Sequence, residues 1–316
     1  MTVFFVFVDG VGAGAPDPEV NPLAREDLLL SRFADGGGTP LPHGGRWALA
    51  DATLGVPGRP QSATGQATLL TGANAPAALG RHLLGYPNAP LRALLAERSV
   101  FAALAAAGRR ALFANAYPVA YLRALGLPAE GEPEFALEGR RRARASATTV
   151  AYAAGGGRFR TWADARAGDG LTHDLTGERA RRYGAGVPLR TPEEAGALLA
   201  ALGAGQDLVL LEFFESDEAG HARAMGRALE ALGRLDRFLR ALLDRLGPDD
   251  ALLVTSDHGN VEDLSTRNHT LARVPVLGFG RAAAEVAAVA DLTAVAPLLL
   301  RLCGVPAARG GVAGAG

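Results

Sequence analysis

Five stretches of the chain run apolar, or nearly so, without alternation: Val3–Val8, Ala111–Ala114, Asp207–Phe214, Ala251–Thr255 and Val274–Phe279. A strand with one wet face alternates polar and apolar residues; a strand covered on both faces does not. All five are therefore expected as buried parallel strands. Between them lie stretches with helical spacing. Val100–Ala107 leads into Gly108, Pro192–Leu202 into Gly203, and the long amphipathic Ala222–Leu246 into Gly247-Pro248. Glycine just past a periodic segment is a helix stop. Helix–strand alternation of this kind predicts an α/β fold: a doubly wound, mostly parallel sheet with helices on both faces.

The texture changes between about Pro118 and Pro188, where Arg and Gly rise and periodicity fades. This region contains Arg140-Arg141-Arg142, Gly155-Gly156-Gly157 and short strand-like runs at Thr148–Tyr152 and Arg158–Thr161. A structureless loop of about 70 residues does not fit a compact domain. Residues 118–187 are therefore read as an inserted cap subdomain, with Tyr152, Phe159 and Trp162 packing its own small core. Residues 1–117 and 188–316 form the main domain. Residues 15–60 are rich in Pro and Gly and read as loop. The tail Ala307–Gly316 reads as frayed, and there is no internal repeat.

Charge narrows the chemistry. The 32 basic residues are all Arg and none is Lys, against 33 Asp and Glu, for a net charge of −1. A Schiff-base lysine, a lysine base and a P-loop lysine are all excluded. Any anion must be held by Arg, metal or backbone N–H groups. Near-neutrality gives no electrostatic footprint for nucleic acid. The single cysteine, Cys303, excludes an intrachain disulfide and reads as a small core residue. Val3–Val8 is short, lacks a basic flank and ends in Asp9, so it reads as a strand and not as a signal peptide. No charge-free apolar stretch reaches about 18 residues. The expectation is a cytoplasmic protein that acts on a small molecule, without a membrane or nucleic-acid partner.

Five clusters carry potential chemistry, each at the expected carboxyl end of a strand or an adjoining turn. In open α/β sheets ligands bind there. Asp9, followed by Gly10, is a metal ligand or a turn former. Asp217 and His221 are four apart; on a helix starting near Ser216 they share one face and can share one cation, or both are solvated. Ser256-Asp257-His258-Gly259-Asn260 brings Asp257 and His258 to one cation only if the chain turns sharply, as Gly259 permits; otherwise it is a helix start. His269, in Asn268-His269-Thr270, is a ligand or a surface residue. Ser62 opens a helix-like segment in Ser62-Ala63-Thr64-Gly65-Gln66, where backbone N–H groups favour an anion, or it simply caps the helix. Together they offer three Asp, three His and one Ser, enough for two divalent cations. Thiolate is absent, and the O/N mixture suits Mn²⁺ or Zn²⁺ better than Ca²⁺.

The set Asp9-Gly10, Ser62-x-x-Gly65, Asp217-x-x-x-His221, Asp257-His258-Gly259-Asn260 and His269-Thr270 followed by Val274-Pro275 resembles the alkaline phosphatase superfamily. Its order is similar to that of the cofactor-independent phosphoglycerate mutases and phosphopentomutases. The resemblance implies an alkaline phosphatase-like core with one metal on Asp217, His221 and His269. It implies a second on Asp9, Asp257 and His258, with Ser62 as both nucleophile and ligand. In that branch the nucleophile stands three positions before a Gly, which selects Ser62 over Thr64.

What this implies is two-metal phosphoryl transfer through a phosphoserine, by a phosphomutase or a phosphomonoesterase acting on a small phosphorylated metabolite. A phosphodiesterase, a sulfatase and a catalytically silent metal-binding homologue are the alternatives; the sulfatase nucleophile motif carries a Pro and an Arg that this chain lacks. Two departures stand out. Gln66 occupies a position where those mutases commonly have His, and the lysine beside the nucleophile in phosphoglycerate mutases has no counterpart. Arg140, Arg141, Arg142 and Arg144 are either a solvated surface or a clamp for a substrate anion. His43, His82 and His173 fall outside the motifs and read as structural or surface residues.

Overall fold

The computed structural model describes residues 1–135 and 143–306. Arg140-Arg141-Arg142 and the tail Ala307–Gly316 lie outside the described residues. Eight strands are present: β1 (Val3–Val8), β2 (Arg46–Ala50), β3 (Ala111–Phe113), β4 (Ala116–Tyr117), β5 (Arg160–Thr161), β6 (Leu208–Phe213), β7 (Ala251–Thr255) and β8 (Val274–Gly280). Six form the central sheet in the order β2-β8-β7-β1-β6-β3, and β4 pairs with β5. The mixed α/β architecture is the one expected.

β1 is sandwiched in parallel between β6 and β7, with Val3 opposite Leu208 on one side and Ala251 on the other. Every residue of these three strands is buried, which is why their sequences do not alternate. Side chains still alternate between faces. Phe5, Phe7, Leu208 and Leu210 pack with the helices at Ser62–Thr71, Ala89–Arg98 and Ala147–Ala154. Phe4, Val6, Leu211 and Phe213 pack with those at Pro192–Leu202 and Met225–Leu243. Each fully buried Leu or Phe contributes about 1.5–3 kcal/mol.

Four expectations need correction. β8 runs antiparallel to β7, and β2 antiparallel to β8. β2 itself lies in the stretch read as loop; its short Arg-Trp-Ala-Leu-Ala run carries no clean period. Thr148–Tyr152 is part of a helix, Ala147–Ala154, because the Ser146 hydroxyl caps its start by accepting from Thr149 N at 3.1 Å. The cap overrides the β-branched residues. Finally, the helix expected over Ala222–Leu246 spans Met225–Leu243; Ala222 instead ends the preceding helix, Glu215–Ala222, and Arg223, with a left-handed φ of 52°, parts the two.

The segment read as a cap is mixed in its packing. Tyr152 and Phe159 join the main core through edge-to-face contacts with Phe113 at 5.7 and 6.4 Å, and not a core of their own. Trp162 does sit in a separate cluster, with Ala165, Ala180 and Val187. Cys303 is buried, as expected. Among the described residues no helix is long and apolar enough to cross a membrane.

Candidate metal centre

The topology gathers the chemistry. β1, β6 and β7 are neighbours and parallel, so Asp9, the Glu215–Ala222 helix and the Ser256–Asn260 turn emerge side by side at one sheet edge. The antiparallel β8 must begin at that same edge, so the loop carrying His269 crosses over it. The fifth piece, the helix Ser62–Thr71, aims its first residue at the cluster.

Close backbone approach makes this possible. Gly10 has φ +70°, and a Cβ there would lie 2.5 Å from Asp217 Oδ1. A Cβ on Gly65 would lie 2.8 Å from the Asp257 carbonyl oxygen. Only glycine lets the two motif turns close onto their neighbours. Ser62 does not cap its helix: the cap position is Gln61. Its Oγ instead lies 3.0 Å from His258 Nε2. Ser216 is likewise no cap; its hydroxyl donates to the Asp9 carbonyl at 2.6 Å.

All seven candidate residues converge. Ligand atoms of Asp217, His221 and His269 lie within 4.8 Å of one another, as do those of Asp9, Asp217 and His258. The first group is the triad expected. The second brings Asp217 in beside Asp9 and His258, while Asp257 Oδ2 stands 3.5 Å from His258 Nε2. Asp217 thus lies between the groups. Gln66, the departure from the family pattern, donates from Nε2 to Asp257 Oδ2 at 3.3 Å.

The histidine orientations fit a cation. His221 Nδ1 and His269 Nδ1 lie 2.8 and 2.9 Å from the carbonyls of Arg267 and Pro60. A carbonyl only accepts, so both Nδ1 atoms carry hydrogen, and Nε2 of a neutral ring offers a lone pair. Yet the two Nε2 atoms face each other at 3.3 Å, with Asp217 Oδ1 3.7 Å from His269 Nε2. Acceptors so close require a proton or a cation between them. Asp9 Oδ1 is buried without a hydrogen bond among the described residues.

The electrostatics agree. Burial, then the fields of Asp257 and Asp217, push the Asp9 carboxyl well above its ordinary range. Burial and the field of Asp217 do the same to Asp257. Burial also raises Asp217, but its hydrogen bond with His221, the field of His258 and the Asn260 hydrogen bond outweigh it and hold the group at about 2. Burial and then His269 depress His258 to about 3, keeping it neutral. Carboxylates packed this tightly without compensating charge are costly, and divalent cations would remove the cost.

Two supporting residues are not among the candidate site residues, although Asn260 closes the Asp257-His258-Gly259-Asn260 motif. Asn260 Nδ2 donates to Asp217 Oδ1 at 2.6 Å and fixes that carboxylate. Glu262, fully buried, accepts from Gly12 N at 2.9 Å and Asn260 N at 2.7 Å, and from the Thr270 hydroxyl, tying three loops together. Glu262 reads in the sequence as an ordinary loop acid.

A cavity of about 660 Å³ opens from Asp9 and Ser62. Its walls include Tyr117, Tyr121, Trp162, His173 and Phe214. His173 is thus a wall residue, depressed to about 4 by burial. Arg144, from the described end of the arginine cluster, lies over the Tyr86 ring at 5.5 Å. His43 pairs with Asp244 at the surface, and His82 lies 3.2 Å from the Val56 carbonyl.

Comparison with known proteins agrees with this geometry. Residues 189–307 match the Metalloenzyme superfamily. The chain is 36% identical over 118 residues to a 2,3-bisphosphoglycerate-independent phosphoglycerate mutase of Thiobacillus denitrificans, covering 34% of this chain and 23% of the mutase. It is 37% identical over 116 residues to a phosphopentomutase of Methylobacterium sp., covering 36% of this chain and 28% of that protein. The match therefore spans about a quarter of the length of these curated relatives. Among solved structures, the PH0037 protein from Pyrococcus horikoshii aligns over 98% of both chains, with TM-score 0.55 and 16% identity. A cold-active alkaline phosphatase from Shewanella sp. aligns over 96% of this chain and all of its own, with TM-score 0.54 and 13% identity. The fold is alkaline phosphatase-like.

Proposed function

We propose that the protein is a metal-dependent phosphoryl-transfer enzyme working through phosphoserine at Ser62, a reading supported by the match of residues 189–307 to the Metalloenzyme superfamily and by the alkaline phosphatase-like fold. The observation that carries this reading is the position of Ser62. Its Oγ stands at a helix N-terminus, 3.0 Å from the buried neutral His258, a member of the ligand group formed with Asp9 and Asp217.

In this reading Asp217, His221 and His269 hold one divalent cation, Mn²⁺ or Zn²⁺. Asp9, Asp257 and His258 hold a second with the Ser62 hydroxyl. Bound there, the cations would neutralise phosphoryl charge and lower the pKa of the serine. Ser62 Oγ forms a bond to phosphorus as the ester O–P bond breaks, and the leaving oxygen takes a proton. The N–H groups that open the Ser62–Thr71 helix help to neutralise the phosphoryl oxygens. The phosphoserine then passes its phosphoryl group to water, as a phosphatase, or to another hydroxyl of the substrate, as a phosphomutase. Residues 118–187, as a cap over the site, would decide between them by admitting or excluding water.

The test loads the protein with Mn²⁺ or Zn²⁺ and offers phosphosugars, phosphoglycerates and simple phosphomonoesters, scoring isomer and free phosphate separately. Ser62→Ala is expected to abolish both products and the phosphorylated-protein peak in a mass spectrum, while keeping the circular dichroism of the parent. Undiminished turnover in Ser62→Ala would move the nucleophile elsewhere.

A further inference from the structure

The cavity beside Ser62 contains a carboxylate that the phosphoryl chemistry above does not use. Glu212 is the fifth residue of β6, and strand alternation puts it on the same face as Leu208 and Leu210. It is only 6% exposed, it lines the cavity, and its carboxylate accepts no hydrogen bond from any described residue. Its backbone, by contrast, is pinned on both sides: Asn115 donates from Nδ2 to the Glu212 carbonyl and accepts from Glu212 N, each at 2.8 Å. The strand thus presents an unpartnered carboxyl group to the cavity at a fixed point. Buried charge of that kind calls for a counter-charge.

Among the described residues the rest of the wall supplies no free one. Arg179 is the only arginine among the described lining residues, and Glu218 takes it in three contacts of 2.8–3.1 Å, while Arg144 lies over the Tyr86 ring at 5.5 Å. His173 is buried between Tyr117 and Phe214, with ring centroids 4.7 and 5.2 Å away, and is neutral. Asp174 adds a further acid, already satisfied by Arg179 N at 2.7 Å and by Thr176 and Gly177. Beyond the candidate metal ligands, the described lining residues therefore carry three carboxylates against one guanidinium. The remaining surface is largely aromatic, with Tyr86, Tyr117, Tyr121, Trp162 and Phe214.

A second anionic group on a substrate, such as the carboxylate of a phosphoglycerate, would meet Glu212, and the one guanidinium among the described lining residues is already held by Glu218. A positively charged group would meet both Glu212 and aromatic rings, which attract cations electrostatically. We propose that this cavity receives the organic part of a phosphate monoester bearing a protonated or quaternary amine, with Glu212 as its counter-charge and the aromatic wall as its cage. The proposal rests on the phosphoryl-transfer reading for the phosphate end and adds the chemistry of the other end.

A matched pair of ligands tests it: phosphocholine and its uncharged isostere 3,3-dimethylbutyl phosphate. The protein is the full chain, loaded with Zn²⁺, carrying Ser62→Ala to stop turnover and Trp47→Phe. The chain has two tryptophans, so fluorescence then reports Trp162 in the cavity wall. Phosphocholine is expected to bind about tenfold more tightly than the isostere, a ratio set by one desolvated cation–aromatic and cation–carboxylate contact. Glu212→Gln should bring the ratio towards one while both ligands still bind.

Equal affinity for the pair, or tighter binding of 3-phosphoglycerate, would overturn the proposal, and this comparison needs no Glu212 variant. Binding of inorganic phosphate with no gain from the amine overturns the amine assignment and leaves the phosphoryl-transfer reading standing. Failure of every one of these ligands, inorganic phosphate included, overturns both.

Discussion

Glu212 and Asp9 are both carboxylates at the buried edge of one sheet, and they differ in what answers them. Burial alone lifts Glu212 from its ordinary 4.5 to about 7. The folded protein therefore holds a proton there that the unfolded chain releases between about pH 4.5 and 7. A raised carboxyl contributes full stability below the unfolded pKa and loses it as pH climbs towards the folded value. The loss at pH 8 is of order 3 kcal/mol. Glu212→Gln should accordingly melt higher than the parent at pH 8 and equal to it near pH 4, in metal-free thermal scans. Equal Tm values at pH 8 would mean that the carboxylate finds compensation in the fold. Glu212 escaped sequence reading for a physical reason: it is one acid inside a run that is otherwise Leu, Val and Phe. The seven candidate site residues drew notice in the sequence because each stands outside such a run, on a helix or in a turn beside one, where a polar side chain has no packing role.

At the scale of elements, legibility followed burial. β1, β7 and the Pro192–Leu202 helix emerged with the bounds expected, since their composition is dictated by a fully covered face or a strong stop. The helix at Ala147–Ala154 did not, because Thr148, Thr149 and Val150 favour a strand and only the Ser146 cap and packing against the core settle the matter. The direction of β8 was also illegible, because a buried antiparallel strand and a buried parallel one have the same composition. Element packing sets the site as well. The Ser62–Thr71 helix touches the β7 turn through Gly65. Gly65→Ala should push the helix from Asp257 by a few tenths of an ångström or more. The expected result is a loss of about 10²-fold in kcat, with the fold retained. Wild-type kcat in that variant would show that the contact has slack.

For the whole molecule, the candidate metal centre is a junction of chain segments that are remote in sequence. Residues 9, 62, 217–221 and 257–269 meet nowhere else. A cation that binds only this junction stabilises the fold by mass action, and each tenfold rise in free metal above its Kd adds about 1.4 kcal/mol per site. Tm should therefore climb with added Zn²⁺ or Mn²⁺ and fall on chelation. In Asp9→Asn the metal response should shrink while the metal-free Tm rises, because the variant thins a crowd of carboxylates. A metal-independent Tm in the parent protein would count against the centre.

The same remoteness shapes how the chain is born. β1 lies in the middle of the finished sheet, yet its two partners begin at Leu208 and Ala251. During synthesis Val3–Val8 emerges before both partners and waits for about 200 further residues, roughly 10 to 40 s at ordinary elongation rates. Through that interval six uncharged apolar residues with strong strand propensity have no native strand partner. This is the segment a ribosome-associated chaperone would cover, and the one where aggregation of the nascent chain would start.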